Sequence, residues 1–296
     1  TYDDAQLQAY VSELGRKLVA QSETPNAQFR FFVLNDDTVN AFALPGGYVY
    51  VSRGLIALCE DEAELAGVIG HEIGHVTARH SAQRYSSAVA TNLGLTAVGI
   101  LGSVFGAPSG FGNIVSFGAQ AALQSYSRTQ ELEADRLGAR YMSRAGYDPH
   151  GLTDFFAKLG MQSDIQADME GRPKNGHSIM STHPRTADRI EQARQLAAEQ
   201  TPPNAKRNRQ TLLTHVDGVL FGKDPKEGFM KGDVFIHPEL GFRFEFPPNF
   251  KVNNGKSDVV GTNGKGTTII FDMESPKVAT GMPNLVEYVG RHWGAK

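Results

Sequence analysis

Two histidines four residues apart constrain the fold of this chain more than any other feature. They belong to the run His71-Glu72-Ile73-Gly74-His75. On an α-helix, residues four apart project from the same face, so both imidazoles can reach one metal ion if this segment is helical. The carboxylate of Glu72 would then lie beside that ion, where it can accept a proton from water. The spacing predicts a helix, a metal site and a hydrolytic reaction with Glu72 as general base.

The residues around this run favour a buried helix over about residues 60–84. Acidic residues crowd its start, whereas Arg79, His80 and Arg84 crowd its end, as the helix dipole prefers. Its middle is apolar, which suits a core that also holds a metal. The pattern is typical of zinc-dependent peptidases, and a pair of packed core histidines is the weaker alternative.

A hydrolytic zinc site needs a third protein ligand and an open position for water. The best candidates lie on a second predicted helix, where Glu131 and Asp135 are four residues apart and Glu133 points elsewhere. One of the two carboxylates can bind the metal while the other orients a ligating histidine. On spacing alone, the pair can also be a solvated acidic edge facing Arg128.

These segments together resemble metallopeptidase family forty-eight over about residues 1–200. The matching stretches are residues 40–47, 64–66, 127–135 and 182–184, in addition to the two-histidine run. The resemblance implies that Glu131 is the third zinc ligand beside His71 and His75, with one zinc ion per chain. It also implies that Asp135 supports a ligand. The family includes prenyl-protein endoproteases and soluble quality-control proteases of the bacterial envelope and of mitochondria.

His183 is the remaining residue of interest, because the resemblance places its His-Pro element in the active site. Its imidazole could stabilise the oxyanion of the tetrahedral intermediate, or bind zinc when no substrate is present. A third reading is a side chain that satisfies the start of the helix predicted to run to about residue 200. His80 and His177 are weaker candidates.

Composition agrees with a globular enzyme and excludes several other classes. The chain has 296 residues, 40% of them apolar, and a net charge of −3, so no basic surface argues for nucleic acid. Cys59 is the sole cysteine, which excludes an internal disulfide and a thiolate zinc cluster and suggests a buried thiol. The chain starts at Thr1 without an apolar leader, so we expect any signal segment to have been removed.

The pattern of apolar residues predicts an α+β fold. Residues 1–200 are expected to form a mainly helical zincin-like domain with a small antiparallel sheet near the active-site helix, built from strands at 29–34, 39–44 and 48–51. An extended substrate could pair with the edge of that sheet. A helix is expected at 152–159 and a flexible loop at 162–178. Residues 201–235 read as a linker, and residues 236–296 as a β-rich accessory domain with strands at 241–247 and 267–271.

Residues 85–127 contain no charged side chain. Gly, Ser, Thr and Asn dilute the apolar residues too much for a transmembrane helix, so a helical hairpin or mobile loop over the metal is predicted. The alternative is a peripheral membrane contact through the same segment.

These features predict a zinc metalloendopeptidase that cleaves unfolded or extended polypeptides in protein quality control. The expected location is the bacterial periplasm or the membrane-associated cell envelope. The alternative is a chaperone-like binding module whose zinc site is structural or autoinhibited. The presence of Glu72 favours the enzyme, because a structural site needs no base.

Overall fold

The computed structural model describes residues 1–80, 82–83, 86, 126–170, 183, 187–255 and 258–272. The chain divides into two compact units, Thr1–Gly222 and Lys223–Lys296. Nearly all of the uncharged stretch predicted as a lid or membrane contact lies outside the described residues, as does His177. Among the described helices, none is both long and apolar enough to cross a membrane.

The first unit is mainly helical, as predicted. Its first helix is capped by the carboxylate of Asp4, which accepts the N–H groups of Gln6 and Leu7. The apolar residues of this helix recur every three or four positions and are buried. The described helices are α1 Ala5–Val19, α2 Arg53–Leu58, α3 Glu62–Thr77, α4 Arg128–Arg144, α5 His150–Glu170, α6 Ala187–Gln200 and α7 Arg209–Val216.

The sheet of this unit has three strands in the order β1-β3-β2, with bounds β1 Arg30–Leu34, β2 Ala41–Leu44 and β3 Tyr48–Ser52. β2 and β3 pair antiparallel, as predicted, through a turn in which Gly46 and Gly47 have φ angles of 94° and 83°. β1 instead pairs parallel with β3, because the hairpin partner β2 occupies the other side of β3. The sheet is therefore mixed, and β2 packs beside α3.

α3 lies at the centre of the unit and is buried from Glu62 to His75. It approaches α4 closely because glycines face each other where the helices meet. A Cβ atom on Gly138 would lie 2.8 Å from the backbone nitrogen of His71, and one on Gly74 would lie 3.0 Å from the carbonyl oxygen of Ala134. This short separation brings the carboxylates of α4 within reach of the histidines of α3.

α5 is longer than the helix predicted at 152–159, and it replaces the first half of the predicted loop. Its early turns are anchored by Leu152, Phe155 and Leu159, which are buried. The following residues up to Glu170 contain neither glycine nor proline apart from Gly160, and most are good helix formers. The helix therefore continues past the last buried contact, with Met161 and Ile165 exposed.

Residues 201–222, predicted as part of a linker, pack on the first unit. Arg207 Nε lies 2.7 Å from Asp61 Oδ2, and the Asn208 amide donates to Glu62 at 2.8 Å. Leu212 of α7 is fully buried, and His215 stacks on Tyr10. These contacts explain why a polar, basic segment is folded against the helical unit.

The second unit is β-rich, as predicted, although its strands begin at residue 229 and not at 236. Its small core contains Phe235, Phe246 and Val259. A turn at 264–266 joins two strands, with positive φ angles at Gly264 and Gly266. A 3-10 helix spans Pro225–Glu227, and the antiparallel strands are β4 Phe229–Lys231, β5 Val234–His237, β6 Phe242–Glu245, β7 Lys251–Asn254, β8 Asp258–Thr262 and β9 Thr268–Asp272.

Candidate active site

α3 carries the two motif histidines on one face. Asp61 caps its start by accepting the backbone N–H of Glu64. One turn apart, the imidazoles of His71 and His75 turn their Nε2 atoms toward each other, 3.0 Å apart. Both side chains are buried. The helix ends at Thr77, earlier than the predicted residue 84.

α4 brings two of its three acidic side chains to these histidines. A capping box of Ser127 and Gln130 fixes the start of the helix one turn before them. Glu131 Oε1 lies 3.4 Å from His75 Nε2, and Glu131 Oε2 lies 3.6 Å from His71 Nε2. Asp135 Oδ1 lies 2.8 Å from His71 Nδ1, on the far side of that ring. The two carboxylates thus share the buried face.

His183 lies in the same cluster, although it comes from a distant part of the chain. Its Nδ1 atom is 2.9 Å from Glu131 Oε1 and 3.2 Å from His71 Nε2. Its Nε2 atom is 3.5 Å from Glu72 Oε1. The structure therefore brings His183 together with the residues that the sequence nominated on α3 and α4, whereas the weaker candidate His177 lies outside the described residues.

The four donors fit a zinc ion. Ligand atoms of His71, His75, Glu131 and His183 all lie within 4.8 Å of one another. In a tetrahedral zinc site with bonds of about 2.0–2.1 Å, ligand atoms are about 3.3 Å apart. The observed separations of 2.9, 3.0, 3.2 and 3.4 Å fall around that value. A set of imidazoles and one carboxylate is also the chemistry that zinc prefers.

Glu72 is the acid of the site whose carboxylate makes no hydrogen bond to a described residue. Both of its carboxylate oxygens are buried and have no hydrogen-bond partner among the residues that the structure describes. A buried carboxylate without partners is costly, so such a group usually serves a bound ligand or a reaction. Its position next to the histidine cluster suits a base that acts on a water or substrate placed there.

Arg189 of α6 is a site residue that the sequence analysis missed. Its guanidinium forms two hydrogen bonds of 2.7 Å to the oxygens of Asp135 and lies 2.5 Å from Glu131 Oε2. Arginine is rarely buried without a partner. The neighbouring residues Asp188 and Ile190 do not indicate that Arg189 is buried. The sequence contained only an indirect signal for Arg189: a carboxylate buried behind His71, as predicted for Asp135, favours a nearby cation.

The charges of the site shift the pKa values of its members. Burial alone would raise the pKa of Asp135, but hydrogen bonds from Arg189 outweigh it and hold that pKa below its usual range. Burial likewise opposes ionisation of Glu131, yet His183 and His75 hold its pKa well below the ordinary value. Burial lowers the pKa of His75, which favours the neutral imidazole that binds metals.

Tyr126 and His80 complete the surroundings of His75. The Tyr126 ring stacks on the His75 ring with centroids 3.6 Å apart. His80, a weak candidate from sequence, is buried with its Nδ1 atom 3.0 Å from His75 Nδ1. Sequence reasoning missed Tyr126, because it lies at the end of the uncharged stretch.

A pocket with mainly apolar lining opens beside the donors. One wall is formed by α5, whose apolar side chains recur at helical spacing, and another by α3 and α6. The lining residues are Val68, His71, Leu152, Phe155, Phe156, Leu159, His183 and Arg189. The pocket and the metal donors therefore share His71 and His183.

Comparison with known proteins agrees with this geometry. The chain is 34% identical over 206 residues to the beta-barrel assembly-enhancing proteases of Yersinia pestis and Escherichia coli K12, covering 67% and 68% of this chain. It is 32% identical over 204 residues to the mitochondrial metalloendopeptidase OMA1 of Schizosaccharomyces pombe. These alignments span 40%, 41% and 55% of the relatives' own lengths. The model of peptidase family M48 matches residues 5–197, so the chain belongs to this family of metallopeptidases, as the sequence motifs predicted.

Proposed function

We propose that the chain is a zinc-dependent endopeptidase. The observation that supports this most is the convergence of four possible metal donors beside the carboxylate of Glu72, which is buried and makes no hydrogen bond to a described residue. His71, His75 and Glu131 would hold zinc, and Asp135 would orient His71. A zinc ion there would polarise the substrate carbonyl and acidify a water molecule.

Glu72 performs the proton transfers of the proposed reaction. It accepts the proton of the attacking water and returns it to the leaving amine, as a general base and then a general acid. His183 Nε2 lies 3.5 Å from Glu72 Oε1, so His183 is near the reacting groups as well as the donors. A catalytic zinc site needs one open position. His183 must therefore leave the donor set when substrate binds, and it can then donate a hydrogen bond to the oxyanion.

The experiment that tests the enzyme is Glu72→Gln, assayed on an unfolded protein such as reduced casein. We expect zinc content to stay at one ion per chain while cleavage falls by about 10²–10⁴-fold, the range for a lost general base. Glu60→Gln is the matched control, because Glu60 lies before the same helix and its side chain is exposed. Cleavage by the Glu72 variant at the wild-type rate would overturn the proposal.

Zinc content also tests the ligand set. Glu131→Ala removes the carboxylate that lies beside the Nε2 atoms of both motif histidines, so we expect it to lose bound zinc. Full zinc retention after dialysis would remove Glu131 from the set of ligands.

The proposed substrate is an extended polypeptide with a large apolar side chain next to the cleaved bond. The apolar pocket beside His71 and His183 suits such a side chain. β2 packs beside α3 and is an edge strand among the strands that the structure describes, so it suits pairing with the backbone of an extended peptide. The bacterial relatives are named for enhancing β-barrel assembly, and others are mitochondrial metalloendopeptidases. We therefore propose a role in quality control of envelope proteins, in the periplasm or at the envelope membranes.

One observation favours the alternative of a chaperone-like module with a structural or autoinhibited site. With His183 included, the donor set has four protein ligands, which is typical of closed zinc sites. His183→Ala separates the two functions. An endopeptidase gated by His183 should keep its zinc and cleave casein at least as fast as the wild type. A structural site should lose zinc affinity and show no cleavage in either protein.

A further inference from the structure

His75 has a partner on its second nitrogen that the proposed reaction does not use. Its Nε2 atom faces the other metal donors, and its Nδ1 atom lies 3.0 Å from His80 Nδ1. His80 Nε2 in turn lies 3.2 Å from Glu133 Oε2. The three side chains form an unbroken series from the metal site to the protein surface, where Glu133 is 47% exposed.

A metal bound by His75 would fix the protonation of this series. An imidazole that binds a metal through Nε2 carries its hydrogen on Nδ1, so His75 would donate to His80. His80 then accepts at Nδ1 and carries its own hydrogen on Nε2, which donates to Glu133. An ionised carboxylate can only accept, so each member has the role that its neighbour requires.

The backbone also shows that His80 is held in this position. Arg79, the residue before it, has a φ angle of +59°, a conformation that L side chains rarely adopt. This residue ends α3 with the N–H of Arg79 donating to the carbonyl of Val76. After this turn the imidazole of His80 lies against His75, where it is buried.

We propose that His80 and Glu133 are positioning residues for the metal ligand His75. They select its tautomer and fix the plane of its ring, as Asp135 does for His71. The inference rests on the proposed zinc site, but not on the proposed peptidase activity. Glu133, which does not face the metal, thus acquires a role through His80.

The test measures binding of Zn²⁺ by competition with a chromophoric chelator, and the absorption spectrum of the Co²⁺-loaded chain. His80→Phe keeps a ring but removes the acceptor, so we expect zinc affinity to fall about 10–100-fold and the cobalt bands to shift. His80→Asn retains an acceptor oxygen near the position of Nδ1, so it should recover most of the affinity. His237→Phe, a change at a buried histidine of the second unit, is the matched control.

A double-mutant cycle keeps the test independent of folding. Glu133→Ala alters an exposed side chain, and we expect a several-fold loss of zinc affinity that disappears in the His80→Phe background. Equal losses in both backgrounds would overturn the proposal, as would wild-type zinc affinity and spectrum in His80→Phe. Equal weakening in His80→Phe and His80→Asn would also overturn it. If the wild-type chain binds no zinc, the proposed function fails first.

Discussion

His71 and His75 turn their Nε2 atoms to the same point, but their Nδ1 atoms face different surroundings. On the His71 side, Asp135 is completely buried and forms two hydrogen bonds with Arg189. On the His75 side, the contacts run through His80 to a carboxylate that is half exposed. A buried ion pair costs much to break, whereas an exposed one contributes little. We therefore expect the contacts of Asp135 and Arg189 on the His71 side to stabilise the fold, and those of His80 and Glu133 on the His75 side to contribute little stability.

The largest expected effect comes from breaking the His71 side. Arg189→Met removes the cation and leaves the carboxylate of Asp135 buried without its partner. We expect the free energy of unfolding of the zinc-free chain to fall by about 3–5 kcal/mol. Urea denaturation followed by circular dichroism measures it. A loss below about 1 kcal/mol would mean that this side is no more essential than the other.

The two sides also differ in their access to the apolar pocket, which is lined by His71 and not by His80. We expect a peptide with Phe beside the cleaved bond to be cut about 10–100-fold faster than one with Ala, measured as kcat/KM. Leu159→Phe should reduce this preference, and Phe156→Ala should shift it toward larger side chains. Zinc affinity should not change in either variant. A wild-type chain indifferent to the two peptides would contradict the assignment of the pocket.

Asp148 offers an intermediate case away from the metal, since its side chain is 20% exposed. Burial would raise its pKa, but hydrogen bonds from His150 hold that pKa below the usual range. A lowered pKa means that the ionised carboxylate stabilises the fold above about pH 4 and that this contribution is lost as the pH falls further. Asp148→Asn should therefore cost about 1 kcal/mol at pH 7 and less at pH 3. Urea denaturation at both pH values checks this, and an equal loss at pH 3 would contradict it.

The smallest expected effect on stability is on the His75 side. Glu133→Ala should lower the free energy of unfolding of the zinc-free chain by less than about 1 kcal/mol, because the side chain is solvated. The same denaturation assay used for Arg189→Met measures it. A loss as large as that of Arg189→Met would erase the contrast between the two sides.

The sequence predicted the parts of the site that depend on helical spacing. Residues 71 and 75, and residues 131 and 135, share faces because they are four apart, and the family resemblance chose between the two carboxylates. Spacing carries no information about contacts between distant segments. Arg189 and Tyr126 were missed for that reason, since their roles arise only when α6 and the start of α4 pack against α3.

The same limit applies to the fold. The apolar patterns predicted the helical unit and the β-rich unit, and the strands predicted at 39–44 and 48–51 match the antiparallel pair of β2 and β3. The parallel pairing of β1 depends on which strand occupies the centre of the sheet, which no local pattern records. The basic residues at 206–209 read as a solvated linker, because their acidic partners on α3 and α5 are far away in the chain.

The glycine contact between α3 and α4 determines how far apart the site residues of the two helices lie. A methyl group on Gly74 would meet Ala134 at 3.0 Å, so the two backbones would have to separate by a few tenths of an ångström. Metal ligands tolerate deviations of only about 0.2 Å. A single carbon added to Gly74 would therefore use the whole tolerance of the distances between the proposed metal ligands. At this contact, the lack of a side chain on Gly74 allows the short distances between the site residues of α3 and α4.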